Sequence, residues 1–223
     1  MSPKGYPVCL LGMEINVMKN THLQSNIEKV VNYLQENLQD TKGKYICISN
    51  VHTTVMAYED YKYMQVQNNS IMSLPDGKPL QIISKIRGYK NAERVTGPDL
   101  MEAIFQLSEK KGFTHYFYGS TEETLQKLVN NLQKKYPKIK IVGTCSPPFR
   151  TLTKEEDRNI IQEINDKNPD FVWVRLGAPK QEIWMFEHRQ VIKSLMIGVG
   201  AGFDYHAENI RRAPIFMQNH HKF

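Results

Sequence analysis

The sequence predicts an α/β fold with a mainly parallel sheet in a single domain, and three observations carry that reading. Short β-branched and aromatic runs alternate with segments of helical periodicity from Lys44 onward, the pattern of strand–helix–strand units. A length of 223 residues suits one large domain, and no internal repeat, low-complexity segment or Gly/Ser linker divides the chain. Strands joined through a helix return to the sheet in the same direction, so such units pair in parallel.

Each element has its own signal. Thr21 and Gln24 have capping-box spacing, and Ile27, Val30, Val31 and Leu34 follow at helical intervals. Residues 45–49 read as the first clear strand, and Asn50 to Thr54 lead from it into a helical pattern. Ile104, Phe105 and Leu107 mark a helix entered near Gly97, before a strand over 114–118. Ser120 with Glu123 predicts the next helix start, and Leu125, Leu128, Val129 and Leu132 form its apolar stripe. A strand over 138–142 precedes a helix opened by Thr153 and Glu156. Residues 171–176 form another strand, Pro179 suits the first turn of a helix through Ile183, Trp184 and Phe186, and 195–199 is the last clear strand. Trp173, Trp184 and the ten methionines are assigned to packing, and His188 and His206 to surface or core positions.

Composition excludes several classes. A hydrophobic content of 40% and a mean hydropathy of −0.50 describe a globular chain, long enough to bury roughly 70% of its unfolded surface. The longest nearly apolar run, 195–203, is broken by three glycines and is far too short to span a bilayer. Cys9, Cys47 and Cys145 form no CxxC pair, so free thiols in a reducing compartment are expected and a structural zinc site is not. The apolar run from Val8 to Leu11 is too short for a secretory signal, which points to a cytoplasmic protein. Neither GxGxxG nor GxxxxGK[ST] occurs, which removes the usual sequence support for an NAD enzyme or a P-loop NTPase. The net charge of +6 is modest, and Arg211, Arg212, His220, His221 and Lys222 crowd the C-terminus. That cluster reads either as a phosphate- or bilayer-facing segment or as a solvated tail.

Ligands of parallel sheets bind beyond the carboxyl ends of the strands, so candidate residues are sought there. Asn50 and His52 follow the first strand, with Thr53 or Thr54 available as a helix cap; capping alone is the competing reading. Pro75-Asp76-Gly77 is first a turn signature, but a carboxylate held at such a turn can also act as a general base. Arg94 can bond an anion, Gly97 permits close backbone approach, and Thr96 or Asp99 can cap the helix. Tyr118-Gly119-Ser120 repeats the arrangement of strand, small residue and helix start. The loop with Ser146, Pro147, Pro148 and Phe149 is stiff and aromatic, suited to bracketing a planar base. Gly177 and Pro179 serve the turn into a helix, whereas Lys180, Gln181 and Glu182 offer a cation, an amide and a carboxylate in succession. Gly198, Gly200 and Gly202, before Asp204, indicate tight packing by the chain or a ligand.

Taken in order, NVHTT, LPDGKPL, RVTGPDLM, YGS, SPPFR, LGAPKQE, GVGAGFD and RRAP make the sequence resemble the WecG/TagA/CpsF glycosyltransferase family over roughly residues 7–218. The resemblance implies a Rossmann-like single domain over 1–210 and transfer of an N-acetylmannosamine-type sugar or related hexose from a UDP-sugar. It implies a polyprenyl-diphosphate-linked sugar acceptor, inversion at the anomeric carbon, and no metal or cofactor beyond the UDP-sugar co-substrate. Products of the family feed capsule, teichoic acid or related envelope polysaccharides. The implied location is peripheral, on the inner face of the cytoplasmic membrane, with no nucleic-acid partner and homo-oligomerisation left open. By motif, Asp76 matches the family's general base. Asn50 and Thr53 are placed on the sugar pocket with Arg94 and Gly97 close by. Ser146, Pro147, Phe149, Gly177, Lys180, Gln181, Glu182 and Asp204 are the remaining substrate-side candidates, and Arg211 and Arg212 the membrane or diphosphate candidates.

Two departures from the family pattern stand out. Ala207-Glu208 replaces an Ala-Gly pair, and Ile215 to Gln218 replaces the start of an arginine-bearing appendage. Residues 211–223 therefore read as a short basic remnant of that appendage. Weak membrane affinity relative to full-length family members follows, and the alternative is a non-catalytic or regulatory nucleotide-sugar-binding protein.

Overall fold

The computed structural model describes residues 8–10, 13–15, 26–86 and 92–210. Strands β1 (Val8–Leu10) and β2 (Met13–Ile15) pair antiparallel. Helix α1 (Ile27–Asn37) leads to β3 (Tyr45–Ser49), and α2 (Val51–Glu59) with α3 (Tyr61–Asn68) to β4 (Met72–Pro75). Next come α4 (Lys78–Ile86), α5 (Gly97–Lys111), β5 (Thr114–Gly119), α6 (Glu122–Lys135) and β6 (Lys140–Cys145). Helix α7 (Lys154–Lys167), β7 (Phe171–Arg175), α8 (Lys180–His188), β8 (Leu195–Gly198) and α9 (Gly202–His206) complete the described chain.

Six strands form one all-parallel sheet in the order β4-β3-β8-β7-β5-β6. This is the α/β, parallel-sheet architecture expected from the alternation of elements, and it is Rossmann-like as the resemblance implies. Its central strands read as continuous apolar runs because both faces are covered. Ile46, Phe117, Phe171, Trp173 and Ile197 point to one side, where α1, α5, α6 and α9 supply Leu34, Phe105, Leu128 and Phe203. Tyr45, Cys47, Tyr116, Val172 and Met196 point to the other and meet Ile164 of α7 and Trp184 and Met185 of α8. Each such large side chain, fully buried, contributes about 1.5–3 kcal/mol of transfer free energy.

Several expected boundaries move. The strand expected at 138–142 lies two to three residues later, at β6, because Lys138 lies in the turn that precedes it. Helix α6 is capped by Thr121, whose side chain accepts from the Thr124 amide, rather than by Ser120. Ser120 instead takes a left-handed turn conformation at φ 67, where the strand end swings into the helix. Thr153 and Glu156 form the expected capping box. Helix α1 starts behind Asn26, and the proposed Thr21–Gln24 start lies outside the described residues. Trp173 and Trp184 are both buried, as expected of packing residues. Cys47 and Cys145 are unpaired.

Candidate active site

The carboxyl ends of β3 and β4 are locked side by side, because the Asp76 amide donates to the Ser49 carbonyl at 2.7 Å. Asn50 then opens α2: its Oδ1 accepts from the Thr53 amide, and Thr53 Oγ1 accepts from the Asn50 amide, both at 3.0 Å. This box buries Thr53 but leaves Asn50 exposed, with no hydrogen bond from its Nδ2 among the described residues. The Val95 amide donates to the Pro75 carbonyl at 2.9 Å, so residues 92–96 return alongside β4. That return places Arg94 Nε 3.0 Å from Asp76 Oδ1. The two side chains are 44% and 32% exposed, so the pair contributes only about 0–1 kcal/mol to stability. Its consequence is orientation: a carboxylate fixed from one side and open on the other.

Toward the centre of the sheet, backbone approaches backbone. A Cβ on Gly97 would run into the Val199 carbonyl, so the start of α5 sits directly on the end of β8. Thr96 caps this helix by accepting from the Asp99 amide. Gly198 leaves room for the Gln181 amide, and a Cβ there would lie 3.1 Å from Gln181 Nε2. Gln181 and Glu182 are only 3% and 1% exposed, and Gln181 Nε2 donates to Glu182 Oε1 at 2.7 Å. The Lys-Gln-Glu run is thus split, with Lys180 in solvent and its two successors held inside beside Tyr63. Burial raises the Glu182 carboxyl above its usual range. Gln181 Oε1 and Glu182 Oε2 are buried acceptors with no hydrogen bond among the described residues.

Arg175, the last residue of β7, directs Nε and Nη2 at Asp204 Oδ2, at 3.0 and 2.6 Å. Both nitrogens converge on one oxygen, which fixes the guanidinium and leaves its third nitrogen without a hydrogen bond among the described residues. From Asp76 to Arg175 is three strand spacings, about 14 Å at ~4.8 Å each. Beyond Arg175, a Cβ on Gly119 would strike the Arg175 carbonyl, and Ser146 Oγ donates to the Ser120 carbonyl at 2.7 Å. Phe149 is fully exposed, and Lys180 Nζ stands 5.4 Å from its ring centroid. Gly177 adopts φ +79 in the exposed turn before α8, and Pro147 is half-buried.

All the described candidates therefore lie along one carboxyl edge, in a row from Asp76 to Phe149. A family model, glycosyl transferase WecG/TagA/CpsF, matches residues 8–222. The chain belongs to this family. Among its curated relatives, a protein of Bacillus subtilis (strain 168) is 29% identical over 199 residues, which is 88% of this chain and 75% of the relative. One from Staphylococcus aureus (strain NCTC 8325 / PS 47) is 24% identical over 212 residues, covering 95% of this chain and 80% of the relative. Both are named N-acetylglucosaminyldiphosphoundecaprenol N-acetyl-beta-D-mannosaminyltransferase.

For this glycosyltransferase-family chain, the residue that motif reading passed over is Arg175. Its one sequence signal was a lone cation near the end of an otherwise apolar strand. Glu208 stands where the family pattern has glycine, and it adopts φ 59, the left-handed region that glycine occupies without strain. Arg211 and Arg212 lie outside the described residues. Among the described residues, no three His, Cys, Asp or Glu side chains converge as a metal site would require, and no helix is long and apolar enough to cross a membrane.

Proposed function

We propose that this chain transfers an N-acetylmannosamine-type sugar, or a related hexose, from a UDP-sugar to a polyprenyl-diphosphate-linked acceptor, inverting the anomeric centre without a metal. The observation that carries the reading is the Asp76 carboxylate, held by Arg94 at 3.0 Å and open on its other side. The acceptor hydroxyl would give its proton to Asp76 as its oxygen attacks the anomeric carbon. The bond from that carbon to the β-phosphate oxygen breaks, and UDP departs from the opposite face. Such a displacement needs alignment and charge stabilisation and no covalent intermediate. Arg175 supplies a fixed cation three strands along the edge from Asp76, an arrangement that suits the diphosphate of an extended nucleotide sugar. Phe149 and Lys180 further along the edge suit the uracil and its phosphates, and Asn50 suits a sugar hydroxyl.

The names of the relatives support the lipid-linked acceptor, and such a substrate is consistent with work at a membrane surface in envelope polysaccharide synthesis. Replacing Asp76 by Asn should lower turnover of the lipid-linked acceptor by about 10²–10⁴-fold, the usual contribution of a positioned base, with the unfolding midpoint unchanged. Undiminished turnover would remove Asp76 from the chemistry. UDP binding without any turnover by the parent chain would favour a nucleotide-sugar-binding role instead.

A further inference from the structure

We infer that the outer face of α4, the helix that immediately follows Asp76, is a bilayer-docking surface for membranes rich in anionic lipid. The inference rests on the reading of a lipid-linked acceptor, and the observation behind it is a helix that carries exposed isoleucines on its outer face. A surface helix ordinarily turns its apolar stripe inward and its polar stripe to solvent. In α4 the buried side is Leu80 and Ser84, while Ile82 and Ile86 are 48% and 79% exposed. Lys78, Ile82, Lys85 and Ile86 fall at i, i+4, i+7 and i+8 and so share one stripe, and all four are exposed. Neither lysine has an ion-pair partner among the described residues. The sequence from Gly77 to Ala92 contains no acidic residue.

Apolar side chains flanked by unpaired cations suit a lipid interface. The isoleucines enter the boundary between headgroups and acyl chains, and each ammonium meets a phosphate or an anionic headgroup. Placement argues for the same occupant. Asp76 lies two residues before Lys78, so a helix resting on the bilayer would hold the base where a lipid-anchored hydroxyl is presented. A second copy of this chain fits less well, because two such faces would bring like charges together.

The test uses the full chain with vesicles of phosphatidylglycerol and phosphatidylcholine, read by co-sedimentation, beside turnover on a water-soluble short-chain acceptor. Ile82→Asp with Ile86→Asp should weaken binding to anionic vesicles at least ~10-fold and leave turnover on the soluble acceptor unchanged. Lys78→Glu with Lys85→Glu should weaken binding to anionic vesicles by a similar factor while sparing the already weak binding to zwitterionic ones. Vesicle binding equal to the parent in both variants would overturn the inference, as would a parent that ignores anionic vesicles. A parent dimer that becomes monomeric in the isoleucine variant, with vesicle binding retained, would assign the face to a second copy and overturn it too. Absent turnover on the soluble acceptor would count against the glycosyltransfer reading, and vesicle binding would still decide the role of α4.

Discussion

His115 shows how completely a single side chain can be committed by its surroundings. It lies in β5 with no exposed surface, stacked beside Phe171 and Trp173, and Trp173 Nε1 donates to its Nδ1 at 3.1 Å. With Nδ1 accepting, the ring proton sits on Nε2, which has no acceptor among the described residues. Burial lowers its pKa to about 3. An unfolded chain returns the imidazole to about 6.5, so below that value the unfolded state binds a proton that the folded state refuses. Stability from this group is therefore present above about pH 6.5 and is lost as pH falls toward 3, at up to ~1.4 kcal/mol per pH unit. His115→Asn keeps an acceptor for the indole but has no such titration. Urea unfolding of the two proteins should show a gap that favours the parent near neutrality and narrows on acidification. Parallel curves would show that His115 titrates alike in both states.

At the scale of elements, burial and position decided what could be read. Strands β3, β7 and β8 lie inside the sheet and announce themselves as apolar runs, within a residue of their expected ends. Strand β4 escaped notice because it has four residues, one of them serine, and ends in proline, which a sheet accepts at an edge. Asp76 was visible as a carboxylate in a turn. Its partnership with Arg94 was not, since 18 residues separate them and the Val95–Pro75 hydrogen bond brings them together. Gln181 and Glu182 were visible as polar residues at a helix start, but the room that Gly198 makes beneath Gln181 has no local signature. Junctions of this kind are testable at Gly97. An added methyl group there meets the Val199 carbonyl, and backbone cannot step aside as a side chain end can. Gly97→Ala should cost about 1–3 kcal/mol in denaturant unfolding. Gly177→Ala is the comparison, because its Cβ meets nothing within 4 Å and only the positive φ opposes it, at about 1–2 kcal/mol. A loss well below ~1 kcal/mol in Gly97→Ala would mean that the α5–β8 junction yields.

Across the described residues, the parallel sheet turns seven of the eight separated motifs into one row of groups. The described candidates gather at strand ends that face the same way, so order across the sheet, not order in the chain, sets who meets the ligand. On the proposed reading the donor would lie across the strand ends, with its anomeric carbon on the Asp76 side and the diphosphate bonded to that carbon reaching toward Arg175. A nucleotide should therefore stabilise the fold through Arg175 without needing Asp76. At 100-fold excess over its dissociation constant, UDP adds ~2.7 kcal/mol, which for a chain of this size raises the unfolding midpoint by roughly 5–10 °C. Uridine, lacking the diphosphate, should give a smaller rise at the same concentration. In Asp76→Asn the UDP shift should persist, and in Arg175→Gln it should shrink toward that of uridine. The comparison is made between ligands within each variant, so a lower starting midpoint in Arg175→Gln, from loss of the Asp204 pair, does not enter. A full UDP shift in Arg175→Gln would make that pair a brace for α9 alone and move the diphosphate elsewhere along the edge.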